Sequence, residues 1–337
     1  VNFRDMGAEE FGSVYEGILE LVPNYTAATQ TLTLVGAAGN NRKTTGSYYT
    51  PSSLVDKQVE SALDPLIARC GTAPDPEKAL LELDVIDTSC GSGHFTVAAA
   101  RRMATALVQM RGNDSSPEAY QHALRDVISH CIYGVDINPL AVELAKITLW
   151  IESVVPGQPL SFLDAHFVCG DATLGLDNLK LLEGGIPAAA YKPLPGDDKA
   201  ACQELAKINR QALKSIKTES RYVETLFAST ETSLLDAYQT IDAMPEVTLE
   251  DVEAKKVAYA DYCESAAFNG LSQAADLFTA AFLLPKKCVD VPVSDMLGGA
   301  WGVEQHADPS LPTTVNLLAL LNPSSTLYQK PTEEMLA

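Results

Sequence analysis

Positive charge is what this chain has least of. Its 337 residues hold 24 Lys and Arg against 44 Asp and Glu, a formal net charge of −20. Gripping nucleic acid takes clustered Lys and Arg against phosphate, and this balance does not supply them. Arg42-Lys43 and Arg101-Arg102 are the adjacent basic pairs near any motif, and solvated surface accounts for both. Seven cysteines (Cys70, Cys90, Cys131, Cys169, Cys202, Cys263 and Cys288) stand singly, without Cys-x-x-Cys spacing. That argues against a zinc site and for reduced thiols in a cytoplasm. No apolar run approaches a membrane span, no signal pattern opens the chain, and no internal repeat is evident. Opening on Val1 points to a piece of a longer chain. What remains is ordinary for a globular protein, 46% hydrophobic and 20% charged, with length for two or three domains.

The stretch from Leu83 to Phe95 organises the rest. Leu-Asp-Val-Ile-Asp87 reads as a buried parallel strand, and Ser89, Gly91, Ser92 and Gly93 as a tight turn. From Thr96 to Gln109 the pattern turns helical. Strand, glycine turn and helix together make a nucleotide pocket at the carboxyl end of an open α/β sheet, where glycine lets backbone approach a ligand. Such a turn alone is a weak signal. A second unit strengthens it: Cys131-Ile-Tyr-Gly-Val-Asp136 ends in an acid, Asn138 is a good N-cap, and Pro139 suits the first helical position. A third apolar run, Phe167-Val-Cys-Gly-Asp171, closes the same way.

A dinucleotide site wants a third glycine where Thr96 stands, and Asp87 would repel a pyrophosphate. An acid there suits a ligand with an amino group and no phosphates, which favours S-adenosylmethionine over NAD. The competing reading is that Asp87 and Asp136 only cap turn amides. Asp87 and Asp136 lie 49 positions apart, beyond the ~20 of a compact dinucleotide fold, so that spacing adds no support.

These residues resemble the N6-adenine DNA methyltransferases of the type IIG restriction and BREX-like phage-defence class. Thr45-Gly-Ser-Tyr-Tyr-Thr-Pro51 is similar to the segment before the catalytic core, Asp87–Phe95 to motif I, Gly134–Pro139 to motif II, and Phe162–Gly175 to the motif III region. Val14–Leu21 is similar to the helix that opens the core, and the likeness covers most of residues 1–200. It implies that Tyr48, Tyr49, Thr50 and Pro51 line the methionine side of S-adenosylmethionine, with Phe95 among the motif I residues at the cofactor. Asp87 and the amides around Cys90, Gly91 and Gly93 would hold the amino-acid portion. Asp136 would take the ribose, Ile137 would pack on adenine, and Asp171 would accept from the adenine amine. The family's catalytic Asn/Asp-Pro-Pro-aromatic motif is missing: Asn138-Pro139 belongs to the second unit, and Asn322-Pro323 is followed by two serines. Hence no catalytic residue and no metal site is expected here.

The resemblance implies an α/β fold: a Rossmann-like class I methyltransferase core with N-terminal helices and an α-helical insertion. In order, an N-terminal helical segment (1–45, its helix over 2–22) is expected, then a partial cofactor-binding core (46–199). A helical insertion (200–285) and an irregular tail (286–337) follow. A loose stretch through Gly36 to Asn41 leads to a helix from Ser52, capped by Ser52 or Ser53. The Gly184–Lys199 passage reads as a loop, and Thr248-Leu-Glu-Asp251 as a capping box. The expected partner is double-stranded DNA, gripped mainly by regions outside this chain, with no membrane and with other restriction or defence subunits as further candidates. The alternatives are a non-catalytic nucleoside-binding module of a defence complex, or a methyltransferase on another acceptor.

Overall fold

The computed structural model describes residues 21–26, 29–36, 50–112, 116–176, 178–294 and 300–321. The chain divides into two compact units, Val1–Thr173 with Met244–Lys256, and Leu174–Ala243 with Val257–Ala337. The helix expected over 2–22 lies outside the described residues except at its end, where Leu21 and Val22 open a strand. Strands β1 (Leu21–Thr26) and β2 (Thr31–Gly36) form an antiparallel hairpin, with Leu21 opposite Gly36. The hairpin falls within the 1–45 segment expected to be helical, and of the expected loose stretch only Gly36 is among the described residues. Thr31-Leu-Thr-Leu-Val carries the alternation that makes β2 a strand.

In the first unit, helix α1 (Ser52–Cys70) starts behind Pro51, not behind a serine cap, and no side chain caps it. Helix α2 (Pro76–Leu81) is capped by Asp75. Three short strands then make a parallel sheet, β3 (Val85–Asp87), β4 (Ile132–Asp136) and β5 (Phe167–Cys169), in that order across it. Asp87 lies opposite Gly134, and Asp136 opposite Cys169. Between the strands run α3 (His94–Met110), α4 (Pro117–Cys131) and α5 (Pro139–Glu152). The side chains of Ser116 and Asn138 accept amide hydrogens at 3.1 and 3.0 Å, and Pro117 and Pro139 fill the first helical positions. Proline loses nothing there, because that N–H has no partner in a helix. Val97, Ala100, Met103, Ala104 and Leu107 of α3 repeat at three- and four-residue steps and are buried. They pack with Leu80, Ile128 and Leu149 into this unit's core.

Glu246 is the polar anchor of the returning segment. Its Oε1 pairs with buried Lys255 at 2.8 Å, and its Oε2 accepts from Phe162 N at 3.2 Å. Buried Arg125 donates to the Glu246 carbonyl at 3.2 Å and to the Pro159 carbonyl at 2.6 Å. Each charged side chain in this group therefore has a partner, as burial demands.

The second unit is mostly helical: α6 (Lys180–Glu183), a 3₁₀ turn (Ala188–Tyr191), α7 (Lys199–Asp242), the later part of α8 (Leu249–Glu264) and α9 (Ala266–Leu283). The Thr248–Asp251 capping box forms as expected, with bonds of 2.8 and 3.1 Å. The tail read as irregular holds an antiparallel pair, β6 (Cys288–Ser294) and β7 (Ala300–Ala307), and helix α10 (Thr314–Leu321). The Gly/Pro-rich passage is not a free loop. Asp197 and Asp198 accept the backbone N–H of Lys286 and Cys288 at 2.9 and 3.0 Å. Buried Asn209 ties the Ile186 carbonyl to the Thr314 amide. Residues a hundred positions apart are joined here, a pairing no local pattern encodes. Among the described residues no helix is long and apolar enough to cross a membrane.

Candidate functional site

The carboxyl ends of β3, β4 and β5 carry the three acids singled out in the sequence, and each is held by backbone of its own turn. Asp87 Oδ1 accepts from Ser89 N at 3.0 Å. Asp136 accepts from Gly91 N at 2.9 Å and Asn138 N at 2.8 Å, so it joins the glycine turn to the start of α5. Asp171 accepts from the Thr173 amide and hydroxyl at 2.9 and 2.6 Å, which hold its carboxyl below the ordinary range. Burial pushes the Asp87 carboxyl up; the Ser89 amide opposes this and the Asp136 charge adds to it. Cys90, buried beneath the turn, has its thiol pushed up to about 12 by burial and by the two neighbouring acids.

The turn's amides are largely engaged within the protein. Cys90 N donates to the Val135 carbonyl, Gly91 N to Asp136, and Gly93 N to the Cys90 carbonyl, all at 2.9 Å. The glycines do different work. Gly91, at φ +53°, faces open space, and its left-handed backbone is one that glycine adopts without strain. Gly93, at φ +89°, would set a Cβ 3.2 Å from the Ala145 backbone, so its bare Cα lets α3 and α5 meet. Ile137, 54% exposed, stands beside the turn, and its carbonyl lies 3.6 Å from the Cys169 thiol.

A pocket of about 330 Å³ lies among α1, β3 with Thr88, and the first turns of α3. Helix α1 lines it with Gln58, Val59 and Ala62, and Asp87, Thr88 and Phe95 face them. Of the expected site residues, Asp87 and Phe95 are therefore in this pocket, and Cys90, Gly91, Gly93, Asp136 and Ile137 form the turn next to it. Asp171 makes its bonds within its own turn, although Gly170 N reaches the Asp136 carbonyl at 2.9 Å. Thr50 and Pro51 precede α1, with the Pro51 carbonyl taking the Leu54 and Val55 amides; Tyr48 and Tyr49 lie outside the described residues. Sequence reading passed over Gln58 and Gly134. A Cβ on Gly134 would collide with the Phe167 ring and lie 3.0 Å from Cys90 Sγ. A lone glycine inside a strand pattern was the signal.

Residues 8–156 match the family described as N-6 DNA Methylase. The chain is similar to the adenine-specific methyltransferase PglX of Streptomyces coelicolor, 30% identical over 113 residues, which is 34% of this chain and 8% of that protein. It is also similar to a protein of Methanocaldococcus jannaschii named as a type II restriction enzyme and methyltransferase, RM.MjaORFECS2P. That match is 22% identical over 226 residues, 53% of this chain and 17% of the relative. The chain thus spans less than a fifth of either relative. No solved structure matches it significantly. Across residues 8–156 this chain is thus similar to the N-6 DNA Methylase family, a span that holds the glycine turn and the second acid-closed strand.

Proposed function

We propose that the chain is the cofactor-binding part of a DNA adenine N6-methyltransferase of restriction-modification or phage defence, built on a Rossmann-like class I core. The observation that carries this is the meeting of Asp136 with the glycine turn through Gly91, at the carboxyl end of a parallel sheet. In open α/β sheets that is where nucleosides bind. The residues fit S-adenosylmethionine: open space at Gly91, acids closing β3 and β4, and an exposed aliphatic side chain at Ile137. A carboxylate has about four acceptor positions, so Asp136 keeps two for ribose hydroxyls beyond its two amide bonds. Ile137 packs on the adenine, Asp171 accepts from its amine, and Asp87 takes the ammonium. When bound, S-adenosylmethionine supplies the methyl group for the N6 amine of an adenine turned out of the duplex.

The groups that would activate that amine are not among these 337 residues, since no Asn/Asp-Pro-Pro-aromatic motif occurs. Among the described residues β3 pairs on one side alone, with β4, and Ile86 is 59% exposed. That outer edge is the position we assign to the catalytic strand. Duplex DNA is then the substrate, held mainly by other regions because this chain is so acidic, with other restriction or defence subunits as partners. Calorimetric titration tests the reading. The chain binds S-adenosylmethionine, and Asp136→Ala weakens binding about tenfold or more, the loss expected for hydrogen bonds to a charged group. Asp136→Asn, which keeps one acceptor oxygen, falls between. Equal affinities for all three proteins would remove the ribose role.

A further inference from the structure

The amino-acid end of such a cofactor has two opposite needs: its ammonium wants acceptors and its carboxylate wants donors. Asp87 supplies an acceptor in the pocket beside α1, since its Oδ2 is not used by Ser89. Donors are scarcer. Among the described residues no Lys, Arg or His lines that pocket. The Thr96 hydroxyl is committed to the Gly93 carbonyl at 2.8 Å. The amides of Cys90, Gly91 and Gly93, the expected donors, are engaged within the protein. Among the described residues two donor side chains are left on the wall, the Gln58 amide and the Thr88 hydroxyl, and neither is hydrogen-bonded to another described residue. Resting on the cofactor reading above, we infer that Gln58 and Thr88 hold the carboxylate of the cofactor's amino-acid end while Asp87 holds its ammonium. Neutral donors suit the place. An arginine there would pair with Asp87 and cancel the charge that the ammonium needs.

The test compares two ligands with one nucleoside. S-adenosylhomocysteine carries the amino-acid end, and 5′-methylthioadenosine lacks it. Gln58 is exposed on α1 and leucine is a good helix former, so Gln58→Leu leaves the melting temperature unchanged. By calorimetry on the full chain, Gln58→Leu and Thr88→Val each weaken S-adenosylhomocysteine about tenfold, a hydrogen bond to a charged group. Neither variant changes binding of 5′-methylthioadenosine. Unchanged S-adenosylhomocysteine affinity in both variants, or equal losses for the two ligands, overturns the assignment. Wild-type chain that binds the two ligands equally well also overturns it, leaving the nucleoside site standing. Wild-type chain that binds neither overturns the cofactor reading and this one with it.

Discussion

Burial pushes the Asp87 carboxyl above its ordinary value of 3.8 because the pocket wall removes more hydration than the Ser89 amide replaces. For an acid, a raised folded-state value means that the native chain holds its proton more tightly than the unfolded chain. The stability attached to that proton is complete below 3.8 and is lost as pH rises through the folded value. Asp87→Asn should therefore melt higher than wild type at pH 7, and the difference should shrink towards pH 4. Scanning calorimetry across that range checks it, and a variant less stable than wild type at pH 7 refutes it. Asp87 and Asp136 were legible in the sequence because each closes an apolar run beside a turn. The need for glycine at position 134 was not, since the Phe167 ring that enforces it lies 33 positions downstream. Gln58 was hidden for a related reason: only the packing of α1 against α3 sets it on the pocket that Asp87 also lines.

At the level of elements, helices declared themselves through caps and periodicity. Asn138-Pro139 and the Thr248–Asp251 box each mark a start that the structure shows. The strands were harder. Those of the parallel sheet stood out because apolar residues run together, whereas β1, β2, β6 and β7 interrupt theirs with Pro23, Thr31, Thr33, Asp290, Pro292 and Glu304. What joins elements across long separations could not be read at all, and Glu246 is the clearest case. Glu246→Ala removes the carboxylate that pairs with the buried Lys255 ammonium and accepts from the Phe162 amide. Breaking one side of a buried pair costs about 3–5 kcal/mol. Urea unfolding should show a loss of that size, and Glu246→Leu with Lys255→Met should recover most of it. If the double variant is no better than the single one, the lost pair is not the cause.

For the molecule as a whole, charge decides which partners it meets unaided. With 44 acids against 24 bases, the chain repels a phosphate backbone even where individual residues suit a base. Fluorescence anisotropy with an adenine-containing duplex should show weak binding at about 0.15 M salt, where exposed charges are screened beyond roughly 8 Å. Tight binding there would contradict the charge argument. The outer side of β3 adds a hazard of another kind. An unclaimed strand flank is adhesive, because its amides and carbonyls will take any extended backbone that arrives. In a concentrated solution the commonest such backbone belongs to another copy of the same molecule. Among the described residues that flank is three residues long, enough for a short and reversible pairing, so this protein should handle best when dilute.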